Sequence, residues 1–198
     1  MLTRFSRLLI DPNRGADDPT LVMRLSDGAI VPGNARIDAA EIAQRLETYW
    51  RPYRDAVTAR LDAMTAAGPL PALVSIHSFT PAWKGQPRPW ELGILWDCDP
   101  RLPRPFVTAL REEGFIVGEN EPYDGALPGD TIDHHATTRG LANLLIEVRQ
   151  DLIATDATAE AMADRLVAPL ARVLAAPDIR TIAHYPSRAR ARLTGEPR

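Results

Sequence analysis

Hydrophobic positions along the 198-residue chain switch between two periods. Short apolar runs at residues 5–11 (FSRLLID), 72–78 (ALVSIHS), 91–97 (ELGILWD), 115–118 (FIVG) and 144–150 (LLIEVRQ) predict strands. Elsewhere the apolar residues fall three and four apart. Ile42, Leu46, Tyr49 and Tyr53, then Val57, Leu61 and Met64, predict a helix that starts at an Asp38 N-cap and is kinked or divided at Pro52. A second helix is expected over 103–113 and a third over 157–175, where Met162, Leu166, Leu170 and Leu174 share one face. Strands alternating with helices predict an α/β layered fold.

The segments between these elements differ in kind. Residues 13–34 are polar and punctuated by Gly and Pro, so they read mostly as loop. Residues 118–133 form a second loop, long enough to serve as a lid or substrate wall. The arginine-rich run 179–198 has no periodicity and is expected as a loosely ordered tail behind a single domain over 1–178.

Composition narrows the partners. With 45% hydrophobic and 25% charged residues the chain is of ordinary globular type, and 26 acidic against 23 basic residues spread along it offer no basic face for nucleic acid. No apolar run approaches the roughly 20 residues of a membrane span, and Met1 to Arg4 lead into no signal-peptide core. The single cysteine, Cys98, excludes an internal disulfide and a Cys-based zinc cluster, as expected in a reducing cytoplasm. Lys84 is the only lysine, a usage that suits either a GC-rich genome or a need for bidentate contacts. Phosphate-cradling Gly-rich loops, a Gly-x-Ser-x-Gly elbow and a His-Glu-x-x-His helix are absent.

Ligands of open α/β sheets gather at the carboxyl ends of strands. Asn13–Arg14 follows the first predicted strand and places a guanidinium fork beside an amide, apt for a carboxylate, although a turn held by an Asx bond has the same spacing. His77 ends the strand 72–78, where imidazole serves as a metal ligand or as a satisfied rim residue. Glu147 interrupts an apolar strand, and a buried carboxylate must be paired, hydrogen-bonded or functional; Arg149 and Arg7 are candidate partners. His134 and His135 are adjacent, so at most one of them faces a site. Tyr123 sits on the long loop, either lining a pocket or anchoring the loop.

Taken together, residues 6–14 (SRLLIDPNR), 77–81 (HSFTP), 88–90 (RPW), 118–123 (GENEPY) and 146–153 (IEVRQDLI) resemble the N-formylglutamate amidohydrolase family in order and separation. The resemblance implies a central mixed β-sheet flanked by helices, similar to zinc carboxypeptidases (phosphorylase/hydrolase-like) and the aspartoacylase group. It also implies a zinc-dependent amidohydrolase that cleaves N-formyl or other small N-acyl amino acids, such as N-formylglutamate. By that analogy His77 is the zinc ligand, Glu147 the general base, Asn13 and Arg14 the carboxylate clamp, and Tyr123 and His135 pocket residues. Two departures accompany it. The family's N-terminal strand and histidine-containing motif are not in this sequence, so it reads as N-terminally truncated, with an incomplete zinc site and an exposed strand edge. Arg54 follows Tyr53 where a histidine is expected. A catalytic zinc takes three protein ligands, which leaves three alternatives open: an enzyme whose site needs more chain, a catalytically inactive, metal-free binding module for carboxylate-bearing small molecules, or a non-functional fragment whose motifs are inherited.

Overall fold

In the computed structural model, which describes residues 1–194, the run 5–11 is a succession of turns rather than the expected strand. Two of its carbonyls are satisfied by side chains instead of a neighbouring strand. Asn34 Nδ2 donates to Leu8 O at 2.7 Å and Arg45 Nη1 donates to Leu9 O at 2.7 Å. The buried Arg45 also donates to Asn34 Oδ1 and to Gly33 O, so one guanidinium ties separate loop segments together and meets the demand for paired backbone groups. The apolar residues of this region then collapse locally: Ile10, Leu21, Val22 and Ile37 form a small core with Phe5, Ile42, Leu46 and Trp50 packed against it.

Within the expected loop 13–34 lies a two-stranded hairpin, β1 (Leu25–Ser26) and β2 (Ala29–Ile30). Asp27 and Gly28 both have positive φ (47° and 77°), the two-residue turn whose twist suits a hairpin. Helix α1 (Ala39–Arg45) starts as predicted, with the Asp38 side chain accepting from Glu41 N at 2.9 Å. A π-helical turn, Leu46–Trp50, separates it from α2 (Arg51–Ala67). Pro52 thus falls in the first turn of α2, where the backbone runs on helically from the π turn, so the wider turn lies where the missing N–H interrupts the ladder. Of the predicted stripe, Val57 and Leu61 are buried, whereas Tyr49 and Met64 are exposed. These elements belong to a compact unit made of Met1–Pro69 and Pro128–Thr131.

The second unit comprises Leu70–Leu127 and the chain from Ile132 onward. Strand β3 (Leu73–Phe79) leads into a short hairpin of β4 (Ala82–Trp83) and β5 (Gln86–Pro87), followed by β6 (Leu92–Leu95). Helix α3 (Pro103–Glu112) precedes β7 (Val117–Glu119), and the short helix α4 (Thr131–His135) precedes β8 (Asn143–Arg149). The four longer-range strands form one sheet in the order β3-β8-β6-β7; β3 runs parallel to β8, β8 antiparallel to β6, and β6 parallel to β7. Leu92, Ile94, Leu144, Ile146 and Val148 point from one face into a core shared with Phe106 and Leu110 of α3 and with Met162 and Leu166 of α5 (Asp156–Leu174). On the opposite face Leu95 and Leu145 pack with Ile132 of α4. The fold is α/β, with a mixed central sheet flanked by helices. Strand β3 is an edge strand of this sheet, and its Ile76 is 68% exposed.

The run from 179, expected to be loose, docks as far as it is described. Ile179 is fully buried within the turn Pro177–Arg180. Arg101, ion-paired with Asp99 at 2.6 Å, donates to Asp178 O and to Thr181 O. At the start of α6 (Arg188–Thr194), Arg188 donates to Trp96 O and to Asp97 O. Residues 195–198 lie outside the described residues. Among the described residues no helix is long and apolar enough to cross a membrane.

Removing one partner of a buried pair strands the other charge. Arg101→Leu is expected to lower stability by about 3–5 kcal/mol in equilibrium urea unfolding. Arg172→Ala, which loses only an exposed contact with Glu112, should cost less than about 1 kcal/mol.

Candidate functional site

Strand register places Glu147 of β8 opposite His77 of β3 on one side and opposite Gly93 of β6 on the other, and Gly93 in turn opposite Gly118 of β7. A single row therefore crosses the sheet. Side chains two apart share a face, so Glu147 belongs to the face of Leu145, where α4 packs. Glu147 is 4% exposed, and its Oε1 lies 3.8 Å from His77 Nδ1. That separation is too long for a direct hydrogen bond yet within strong electrostatic reach in a buried setting.

The two glycines make room at this row. A Cβ at Gly93 would lie 2.2 Å from Glu121 O and 3.2 Å from Glu147 Cβ. At Gly118 it would lie 2.8 Å from Glu121 Cβ and 2.9 Å from the Trp90 ring. The loop after β7 thus closes directly onto the sheet beside Glu147. Asn120 clamps that loop: its N–H donates to Ile94 O, and its Oδ1 accepts from Trp96 N and Gly125 N. Its φ of 52° is a conformation asparagine tolerates better than most residues.

Held in this way, the exposed Tyr123 accepts a hydrogen bond at its hydroxyl from Arg88 Nη1 at 3.2 Å. Arg88 belongs to the quoted RPW motif, but no role was expected of it. It follows the β4-β5 hairpin, whose turn residues Lys84 and Gly85 both have positive φ, and its N–H closes the loop on Pro81 O. Arg149, next along the face from Glu147, donates from Nη1 to the carbonyls of Arg88, Pro89 and Trp90. Its Nε lies 2.7 Å from Asp151 Oδ1. The hydrogen bond from Arg149 holds the Asp151 carboxyl below its usual range, and the same bond raises the guanidinium.

The other predicted residues are placed as follows. His135 is 1% exposed on α4, with its ring edge-on to that of His134, which is exposed. One imidazole of the pair turns inward. In the first unit Asn13 donates its N–H to Asp11 Oδ1, the anticipated Asx bond, and its side-chain oxygen accepts from Thr131 N at 3.2 Å. Arg14 Nε donates to Thr20 Oγ1 and lies 3.9 Å from both Asp11 and Asp18. Trp50 Nε1 donates to Arg14 O, and the buried Arg54 stacks 4.4 Å above the Trp50 ring. Arg54, found where the resemblance leads one to expect histidine, therefore supports the Asn13–Arg14 loop. Its neighbour Tyr53 has a phenol pushed up by burial.

A zinc ion was the expected cofactor at His77. Among the described residues no three His, Cys, Asp or Glu side chains come together as a metal-binding group. His77 and Glu147 supply two donors where a catalytic zinc takes three, so this pair alone does not fit the metal. Cys98, whose thiol is pushed up by burial, is a poor thiolate donor at neutral pH.

A family model described as N-formylglutamate amidohydrolase matches residues 1–154. Among solved structures, the gene product Atu2144 of Agrobacterium tumefaciens is 36% identical, with a TM-score of 0.81 over 86% of this chain and 68% of its own. The N-formylglutamate amidohydrolase of Ralstonia eutropha JMP134 is 23% identical, with a TM-score of 0.61 over 84% of this chain and 72% of its own. At that lower identity the likeness is one of fold. No functionally curated protein matches the chain.

Two outcomes follow from the site's geometry. Gly93→Ala should cost about 1–3 kcal/mol in thermal unfolding by driving the loop off the sheet, whereas Gly33→Ala, with open space around its Cβ, should be close to neutral. The Asp151 carboxyl, followed by carbon NMR, should titrate below the ordinary aspartate range and return to it in Arg149→Gln. Because its folded value is the depressed one, its stabilisation is present above the unfolded value and is lost as pH falls through the folded one. With Asp151 46% exposed, that contribution stays below about 1 kcal/mol.

Proposed function

The chain belongs to the N-formylglutamate amidohydrolase family, a family of hydrolases, and from that premise we propose that it cleaves the amide of N-formyl or other small N-acyl amino acids. The single observation that supports this reading is Glu147: a carboxylate 4% exposed, in the middle of a central strand, with an imidazole beside it. Such a group is costly to bury, so its place at the sheet row points to chemistry. An ionised Glu147 accepts the proton of an attacking water and returns it to the amide nitrogen. The carbonyl carbon gains the water oxygen, the C–N bond breaks, and formate and a free amino acid leave. General-base work of this kind contributes about 10²–10⁴ in rate.

The mixed sheet order is compatible with the zinc carboxypeptidase-like fold, and the resemblance assigns a zinc to His77. Because the described donors do not fit that metal by themselves, no step is routed through it. A second reading is favoured by the same shortage of donors: a metal-free module that binds carboxylate-bearing small molecules without turning them over.

Formate release from N-formylglutamate separates the two. The enzyme reading predicts turnover that falls by about 10²–10⁴ in Glu147→Gln while affinity for the substrate is retained. Binding without any formate release, in protein supplied with zinc, would leave the binding module.

A further inference from the structure

We propose that Arg88 is a carboxylate-binding residue of the Glu147 site and receives the carboxylate on the edge formed by its Nε and Nη2. The identity of the ligand rests on the reading above, since every N-acyl amino acid carries a free carboxylate.

The guanidinium is held on one side only. Its Cζ lies 5.8, 5.5 and 5.1 Å from the ring centroids of Phe79, Trp83 and Tyr123. Nη1 donates to Thr80 O at 3.3 Å, to Thr80 Oγ1 at 3.1 Å and to the Tyr123 hydroxyl at 3.2 Å. All of these acceptors are neutral. Among the described residues Nε and Nη2 carry no hydrogen bond, and Arg88 forms no ion pair. Aromatic rings at these distances stabilise the cation without supplying a lone-pair acceptor for its N–H groups. The edge left open is the side-on fork that matches a carboxylate with two parallel hydrogen bonds.

Other guanidiniums lie close to acids. Arg101 lies 2.6 Å from Asp99, Arg149 lies 2.7 Å from Asp151, and Arg14 stands 3.9 Å from both Asp11 and Asp18. Arg88, half-buried beside a candidate site, is not compensated in this way.

Placement connects it to Glu147. Phe79, beneath Arg88, pairs with Arg149 in the β3-β8 register, two positions beyond the pair His77 and Glu147. Two strand positions span about 6.5 Å, on the scale of the extended reach from the amide carbonyl to the side-chain carboxylate of N-formylglutamate. Arg149 fixes the backbone carrying Arg88 through three carbonyls. Tyr123, predicted to wall the pocket, becomes a positioning residue that orients the fork through Nη1.

The test is calorimetric titration of the full chain in a Glu147→Gln background, so that nothing turns over, with N-formyl-L-glutamate, its side-chain amide N-formyl-L-glutamine and its α-amide N-formyl-L-isoglutamine. The amide lacking the carboxylate that Arg88 holds should bind about 10- to 100-fold more weakly than N-formylglutamate, and which amide this is tells the α-carboxylate from the side-chain one. Adding Arg88→Gln should abolish that discrimination, Arg88→Lys should restore part of it, and Tyr123→Phe should reduce it. Discrimination that survives Arg88→Gln, an equal loss for all three ligands, or no binding of any of them overturns the proposal. Arg88-dependent discrimination in a protein that releases no formate when Glu147 is intact would sustain the proposal and remove the hydrolase reading. Formate release with Arg88-independent discrimination would do the reverse.

Discussion

A carboxylate buried in the middle of an apolar strand has to be met by polar groups or open space, and the placement of Glu147 organises the second unit around that demand. Its neighbours across the sheet are an imidazole on one side and a glycine on the other, and the glycine row continues to Gly118. Without Cβ atoms at Gly93 and Gly118, the backbone of Glu121 comes down onto the sheet beside the carboxylate. Asn120 then holds the loop with three hydrogen bonds. The helices α3 and α5 cover the opposite face, where Leu92, Ile94, Leu144, Ile146 and Val148 form the core, so packing and chemistry are divided between the two sides of one sheet.

The scarcity of lysine acquires a structural meaning beside this. Arg45, Arg101, Arg149 and Arg188 each donate to backbone carbonyls of loop or terminal segments, and all four also pair with an acid that balances their charge in doing so. A planar fork with several fixed donors serves this purpose where an ammonium point charge does not. Loops that pair with no strand still have their carbonyls satisfied, which is how the region around Leu8 and Leu9 avoids becoming the strand its alternation suggests. Arg88 differs from these four because it spends a single nitrogen on neutral acceptors and leaves its fork open.

Much of the fold was legible from periodicity. Helices α1, α2, α3 and α5 and strands β3, β6, β7 and β8 lie where apolar spacing and caps place them, because each buries a face or stripe whose period survives in one dimension. The hairpin at Asp27–Gly28 carried a recognisable turn signal that the surrounding polar residues obscured. The docked segment after Pro177 was not legible, because its order comes from Arg101 and from burial of isolated residues such as Ile179.

For the site, the sequence by itself determined residue types and order: a histidine ending one strand, a carboxylate interrupting another, an Asn-Arg pair, and motifs whose order points to a family. Tertiary structure alone decided which of them are neighbours. Strand register set His77 beside Glu147, and the close approach of Glu121 explained two glycines. The Tyr123 hydroxyl was brought within hydrogen-bond distance of Arg88. Side-chain chemistry is written residue by residue, whereas register and cross-loop hydrogen bonds join positions tens of residues apart and exist only once the sheet has formed.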